Sequence, residues 1–244
     1  MSSFQIKAGL IGIGLVLVLA VFLFVSFNSM LRVGFERVAP KLTGTGVSVE
    51  GVSVSPMSGQ GEIRGLVVRN PPGFRSESAF RLTETRIRLV PMSFFTEKVL
   101  IREILIDGPA ITYEAGSPDS NLGRIRKNAE AFVEAAAPSP AKTPAPPKKE
   151  LRFEITRLVV KNARVNLRAG IPGATPVEIG LPEIRLENLG RGTPGVTAGE
   201  AAAHLLSALT IEIARRAVIE PGMGTVTEQL RKKGFRGFKR LMGK

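Results

Sequence analysis

The sequence predicts a mainly β protein: an antiparallel β-meander with two or three helices, behind one N-terminal transmembrane helix. Three observations carry this. Ala8–Phe27 is twenty residues without a charge, enough to cross ~30 Å of hydrocarbon as a helix. Short runs with period-two alternation fill 46–114, among them Val47-Ser48-Val49, Val52-Ser53-Val54, Thr85-Arg86-Ile87-Arg88-Leu89 and Val99–Ile106. Such alternation makes a sheet with one apolar and one polar face. The links between runs are short, which favours antiparallel pairing over helical crossovers.

Residues 1–28 form the expected anchor. The exit, Phe24-Val25-Ser26-Phe27-Asn28, is too bulky for a signal-peptide cleavage site, so the span is read as uncleaved. Residues 29–45 follow as a juxtamembrane helix or a connector. Lys7 precedes the span, whereas Arg32, Arg37 and Lys41 follow it. Charge counting alone would keep the long part inside. A lone N-terminal span usually sends the chain across, so a periplasmic location is the expectation.

Residues 46–137 form the main block. Strands are expected over 47–55, 62–70, 80–89, 99–107 and 110–114. Gly51 interrupts the first run, which points to a bulge, and the alternation of Val99–Ile106 slips near Arg102-Glu103. Asn70-Pro71-Pro72-Gly73-Phe74 cannot continue a strand. Asp107-Gly108 before Pro109 reads as a tight reversal. A helix is expected over 120–137, capped by Ser120 or Asn121, with Leu122, Ile125, Ala129, Phe132 and Val133 on one face. Asn121 could instead contact a ligand, although capping is the commoner role.

Residues 138–150 are rich in Pro, Ala and Lys and read as a linker. Residues 151–222 resume the sheet pattern at Leu151, Phe153, Ile155 and Leu158-Val159-Val160. Lys161-Asn162 reads as a turn into Ala163–Leu167. Runs 177–181 and 184–189 follow, with Pro182 at an edge or end. These strands are too few for a secure core and are expected to extend the first sheet. A helix over 197–219 opens with the capping-box pair Thr197 and Glu200 and lines Leu205, Leu209, Ile213 and Ala217 on one face. Residues 223–244 form a basic amphipathic tail. Arg231, Lys232, Lys233, Phe235, Arg236, Phe238, Lys239 and Arg240 are its candidate membrane-surface residues. A frayed tail in water is the equal alternative, since Gly234 and Gly237 weaken a helix.

Composition narrows the function. The net charge is +13, yet residues 46–137 carry 11 basic and 11 acidic side chains. The excess lies beside the anchor and in the tail. That distribution suits an anionic membrane surface better than nucleic acid, and no nucleic-acid partner is expected. There is no Cys and one His, His204. No metal site, cofactor, phosphate loop or nucleophile elbow is visible, and no enzymatic activity is expected.

The order of motifs resembles the amino-terminal region of bacterial AsmA-like proteins. The resemblance rests on the anchor, Leu42-Thr43-Gly44-Thr45-Gly46-Val47, Gly65–Phe74 with its Asn-Pro-Pro-Gly-Phe, Ile101–Glu114 with its Asp-Gly-Pro, and Ser120-Asn121-Leu122 before a helix. It covers roughly residues 1–135 well and 151–219 more loosely. It implies an inner-membrane anchor and a periplasmic sheet curled into an apolar groove, related to bridge-like lipid transfer proteins. Phospholipid transport or envelope lipid homeostasis is the implied role. The expected partners are phospholipid acyl chains and the inner membrane, with other envelope proteins or self-association as further options. The candidate lipid-facing residues are Val47, Val49, Ile63, Val68, Ile87, Leu89, Ile101, Ile104 and Ile106. A scaffold whose sheet is covered by its own helices is the alternative.

Overall fold

The computed structural model describes residues 29, 31–55, 57–93, 96–116, 119–136, 151–168 and 176–219. The expected anchor, the 138–150 linker and the basic tail lie outside them. No helix among the described residues is long and apolar enough to cross a membrane.

Helix α1 (31–43) leads into the strands β1 (Val47–Ser48), β2 (Gly51–Ser55), β3 (Gln60–Arg69), β4 (Ser78–Leu89), β5 (Val99–Asp107) and β6 (Ala110–Glu114). Helix α2 (Asn121–Ala136) follows. Then come β7 (Phe153–Lys161), β8 (Arg164–Arg168), β9 (Val177–Gly180), β10 (Ile184–Leu189) and α3 (Ala198–Ile219). All ten strands join one sheet. Its path does not close: β1 and β2 pair only with β3, and β9 and β10 sit at the other margin. The second set of strands thus extends the first, as their small number requires.

Register shows that several strands are halves of longer ones. β5 and β6 both run antiparallel to β4 in a single frame, Thr85 opposite Ile106 and Arg81 opposite Ala110. Asp107-Gly108-Pro109 is therefore not the expected reversal; the chain kinks and runs on. β7 and β8 lie parallel to β5 and β6 with one constant offset, Val99 opposite Phe153 and Glu114 opposite Arg168. Lys161-Asn162 is likewise a kink. β9 and β10 share one frame against β8 and β7. The same holds for β1 and β2 against β3, with the break at Val49-Glu50; Gly51 itself pairs normally with Arg64. The meander is antiparallel except for this one parallel step. A parallel neighbour needs a crossover, and α2 lies on it.

The kinks align into a crease across the sheet. In the shared registers Glu50, Gly65, Thr83, Gly108, Asn162 and Pro182 stand side by side. Three of them have left-handed backbone: Gly65 (φ 57°), Gly108 (φ 64°) and Asn162 (φ 53°). Asn is the side chain that tolerates this conformation best. Here the Asn162 amide also donates to the Asp107 carboxylate at 2.7 Å. The ladder is maintained through the kink by the Gly108 amide donating to Lys161 O (2.9 Å) and the Leu181 amide to Ala163 O (2.9 Å).

At the crease every strand slips phase by one residue. Apolar or core-facing pairs fall three apart: Ile63/Leu66, Leu82/Thr85, Ile106/Pro109, Val160/Ala163 and Leu181/Ile184. In β4 through β10 most large apolar residues of both halves join or pack on one core; Leu105 and Val159 lie on the other face. A second, shorter slip crosses at Arg88/Leu89, where Arg102 is the unpaired residue, as the alternation near Arg102-Glu103 foretells. Helices α2 and α3 cover the core with Leu122, Ile125, Ala129, Leu209, Ile213 and Ala217, all buried. The Thr197/Glu200 box forms as expected: the Thr197 amide donates to Glu200 Oε2 (2.7 Å), and the Glu200 amide to Thr197 Oγ1 (3.1 Å).

The crease makes a testable demand on backbone. Gly108→Ala places a Cβ in open space, so its cost is conformational, about 1–2 kcal/mol. At Gly65 the added Cβ would lie 2.2 Å from the Glu50 side chain, which must also swing away. Denaturant unfolding in detergent should show both variants less stable than the parent, with Gly65→Ala at least as affected as Gly108→Ala. Gly180→Ala, in open space at ordinary φ, should stay near the parent value.

Candidate functional site

The candidate site is the apolar face of the sheet. Its nine sequence-predicted residues fall into three groups. Leu89, Ile101 and Ile106 are buried in the core. Val68, Ile87 and Ile104 are half-buried and pack against it. Val49 is buried outside that cluster, and Val47 and Ile63 are half-buried outside it. The structure therefore brings six of the nine onto the helix-covered core.

Cover is fullest on β7 and β8 and thinner at both margins of the sheet. On β7 and β8, Ile155, Leu158, Val160, Val165 and Leu167 are at most 4% exposed. On β2 and β3, Val52, Ile63, Leu66 and Val68 keep partial exposure while Val54 is buried; on β10, Ile184, Leu186 and Leu189 are likewise half-buried. Val52 and Leu66 escape the sequence-based choice because the phase of the lining changes at the crease. Apolar pairs three apart, recurring in strand after strand, are the signal that could locate them.

The opposite face is mostly charged, with Leu105 and the buried Val159 set side by side between Arg86 and Arg185. Arg88, Glu103 and Arg157 lie in one row, and Glu103 accepts from Arg157 (2.6 Å) with Arg88 at 3.7 Å. Lys161 pairs with Asp107 (3.1 Å) two rows further along, beyond Leu105 and Val159. Opposite charges on neighbouring strands contribute modestly to pairing.

The Asn-Pro-Pro-Gly-Phe loop is fastened to α2 by a buried polar staple. Asn121 is 0% exposed. Its Oδ1 accepts the amides of Glu114 (2.9 Å) and Leu122 (2.8 Å). Its Nδ2 donates to Asn70 Oδ1 (2.8 Å) and Thr112 O (2.7 Å). Asn70 in turn donates to Ser76 O (2.7 Å). The cap of α2 is Ser120, whose hydroxyl accepts the Gly123 amide (3.1 Å); Asn121 is neither cap nor open ligand contact. Arg124 of α2 holds the loop from outside, donating to Pro72 O (3.0 Å) with its guanidinium 5.2 Å from the Phe74 ring centre.

Glu114 completes the staple. Burial pushes its pKa up, but the Ser76 hydroxyl, the Arg75 and Ser76 amides and the charge of Arg168 outweigh it. The net pKa lies below the ordinary 4.5. The carboxylate accepts the Arg75 amide at 2.8 Å and the Ser76 amide at 2.9 Å.

His204 is exposed on α3, and no cluster of metal-ligating side chains occurs among the described residues. The membrane-surface candidates Arg231, Lys232, Lys233, Phe235, Arg236, Phe238, Lys239 and Arg240 lie outside the described residues.

These features define a class: an open, creased sheet with one apolar face, backed by helices and pinned by a polar staple. The model of the AsmA family matches residues 6–181, and the chain belongs to that family. The family is loosely linked to the cell envelope and to lipid-related function. No curated protein and no solved structure matches the chain.

The staple carries a pH dependence. Because the folded pKa of Glu114 is depressed, its contribution is full above the unfolded carboxylate value and is lost as pH falls through the folded one. Acid unfolding below about pH 4.5 should be shifted in Glu114→Gln. That variant also turns an NH₂ donor toward two amide donors, at about 1–3 kcal/mol at neutral pH. Asn121→Ala strands Asn70, Thr112 and Glu114 groups and should cost about 3–5 kcal/mol. Urea titrations at pH 7 and pH 4 check both.

Proposed function

We propose that the chain is an inner-membrane-anchored periplasmic protein whose apolar sheet face contacts phospholipid acyl chains, serving phospholipid transport or envelope lipid homeostasis without catalysis. One observation carries the reading beyond family membership: the incompletely covered margin of the apolar face on β2 and β3. Val52, Ile63, Leu66 and Val68 would each gain from further apolar cover, since burial is worth about 25 cal/mol per Å². An acyl chain supplies such cover without directional demands. The described sheet presents a short face, which suits contact at one membrane or one segment of a longer path.

The scaffold reading has its own support in the burial of Leu89, Ile101 and Ile106 beneath the helices. The two readings separate at the margin. A benzophenone side chain at position 63 should capture phospholipid in intact envelopes, and one at position 158 should not. Ile63→Asp keeps its carboxylate hydrated and should leave the fold intact while lipid contact falls. Leu158→Asp buries an unpaired carboxylate and should unfold the sheet. Capture of no lipid at position 63 would favour the scaffold. A reporter fused after Lys244 should be active only outside the inner membrane; a cytoplasmic signal would remove the proposed location.

A further inference from the structure

One end of the sheet gathers its turns into a single rim. The Leu89 amide donates to Gly59 O (2.6 Å), the Val90 amide to Leu100 O (2.8 Å), and the Val99 amide to Arg152 O (2.8 Å). These bonds tie together the turn at 57–59, the residues that follow β4 and precede β5, and the entry to β7. Three large apolar side chains project from this rim: Met57 is 84% exposed, Met92 56% and Leu151 64%. Exposed apolar residues are ordinary one at a time. Three on laterally bonded loops at one end are a cluster.

Met92 adds a second observation. Its backbone is left-handed, φ 64°, a conformation that glycine holds at less cost and that a long side chain rarely adopts. An unusual backbone with an apolar side chain directed into solvent calls for a use.

The third observation is charge. Beside the rim, on the polar face, a shallow depression is lined by Ser58, Gln60, Arg88, Arg102, Glu103 and Arg157. Glu103 is shared between Arg88 and Arg157, and Arg102 has no ion pair among the described residues. The set keeps a surplus of guanidinium charge over carboxylate. Glu97 on the rim opposes it singly, and the nearby Lys98 is neutralised by Glu154. Apolar tips with arginines set just behind them match an anionic bilayer surface, where side chains enter the acyl boundary and guanidiniums meet phosphates.

We propose that this end of the sheet docks on an anionic lipid bilayer, with Met57, Met92 and Leu151 inserted and Arg88, Arg102 and Arg157 on the headgroup phosphates. The site is separate from the apolar face and rests on the proposed function only for the presence of a membrane.

The chain has no cysteine, so single labels are unambiguous. Met57→Cys and Met92→Cys report the rim. Glu77→Cys, 76% exposed at the opposite end, is the control. Each full-length variant carries an environment-sensitive fluorophore and is reconstituted into vesicles of phosphatidylcholine alone or with phosphatidylglycerol, both containing nitroxide-labelled lipid. Lipid quenching should be strong at 57 and 92 and weak at 77, and stronger in the anionic vesicles. Arg88→Gln and Arg102→Gln, read through the label at 57, should each lower the docked-to-undocked ratio about fivefold. Met92→Gly should weaken quenching at 57 without unfolding the protein.

Labels at 57 and 92 that stay unquenched in anionic vesicles, or quenched no more than at 77, would overturn docking. So would protection from aqueous iodide without lipid quenching, which would mark a protein contact instead. Acyl capture from position 63 is measured in the same vesicles, so loss of docking with capture intact overturns this proposal alone.

Discussion

A pleated strand turns each successive side chain to the opposite face. A sheet that kinks by one residue would therefore lose its apolar face at the kink, unless all strands slip together. This constraint organises the whole protein. Ile63/Leu66 on β3 cannot change phase alone, because Leu82/Thr85 opposite them on β4 would then turn apolar side chains toward water. The slip must pass from strand to strand at one level, and it does, from β1–β2 to β9–β10. The residues that perform it differ: two glycines and an asparagine take left-handed backbone, and a proline sits where an edge strand lacks a donor to lose. What they share is position.

The crease also decides how the helices work. Both halves of the sheet keep most of their large apolar residues on one side, so a single layer of α2 and α3 can serve a core that includes Ile155 and Val160 from one half and Ile111 and Val165 from the other. The layer is set by the staple. Asn121 fixes the first turn of α2 to the end of β6 and to Asn70, so the helix direction is determined where it starts. Leaving any of these buried groups unpaired would cost a large part of a typical fold's margin, which makes the far end of the sheet its most tightly specified region.

Most strand positions are legible in the sequence because half-buried strands alternate, and β5, β6 and β10 fall where the alternation puts them. The Thr197/Glu200 box is legible because a capping box is a local bond pair. The crease is not. Asp107-Gly108-Pro109 and Lys161-Asn162 carry the same glycine, proline and asparagine chemistry as a reversal. Only pairing partners, which a single sequence does not display, separate a kink from a turn. Likewise Asn121 is a helix-start residue by type, and its burial depends on Asn70, fifty-one positions earlier. The apolar lining is half legible for the same reason: Ile63 and Val68 are five residues apart, an odd spacing that mixes phases unless the slip at Gly65 is known.

Cover is incomplete on β2 and β3 at one margin, whereas the exposed apolar rim and its arginines lie at one end of the strands. In water alone both features are liabilities, since exposed apolar surface on an open sheet invites association. Beside a bilayer they cease to be. The rim would find apolar surroundings and phosphates at the interface, and the β2–β3 margin would find acyl chains. The mostly charged face, with its Arg, Glu, Asp and Lys, would remain hydrated. A sheet with these three different surfaces is poorly suited to being surrounded by one solvent. It is suited to a boundary between two, and the shared slip keeps the apolar face continuous across the crease.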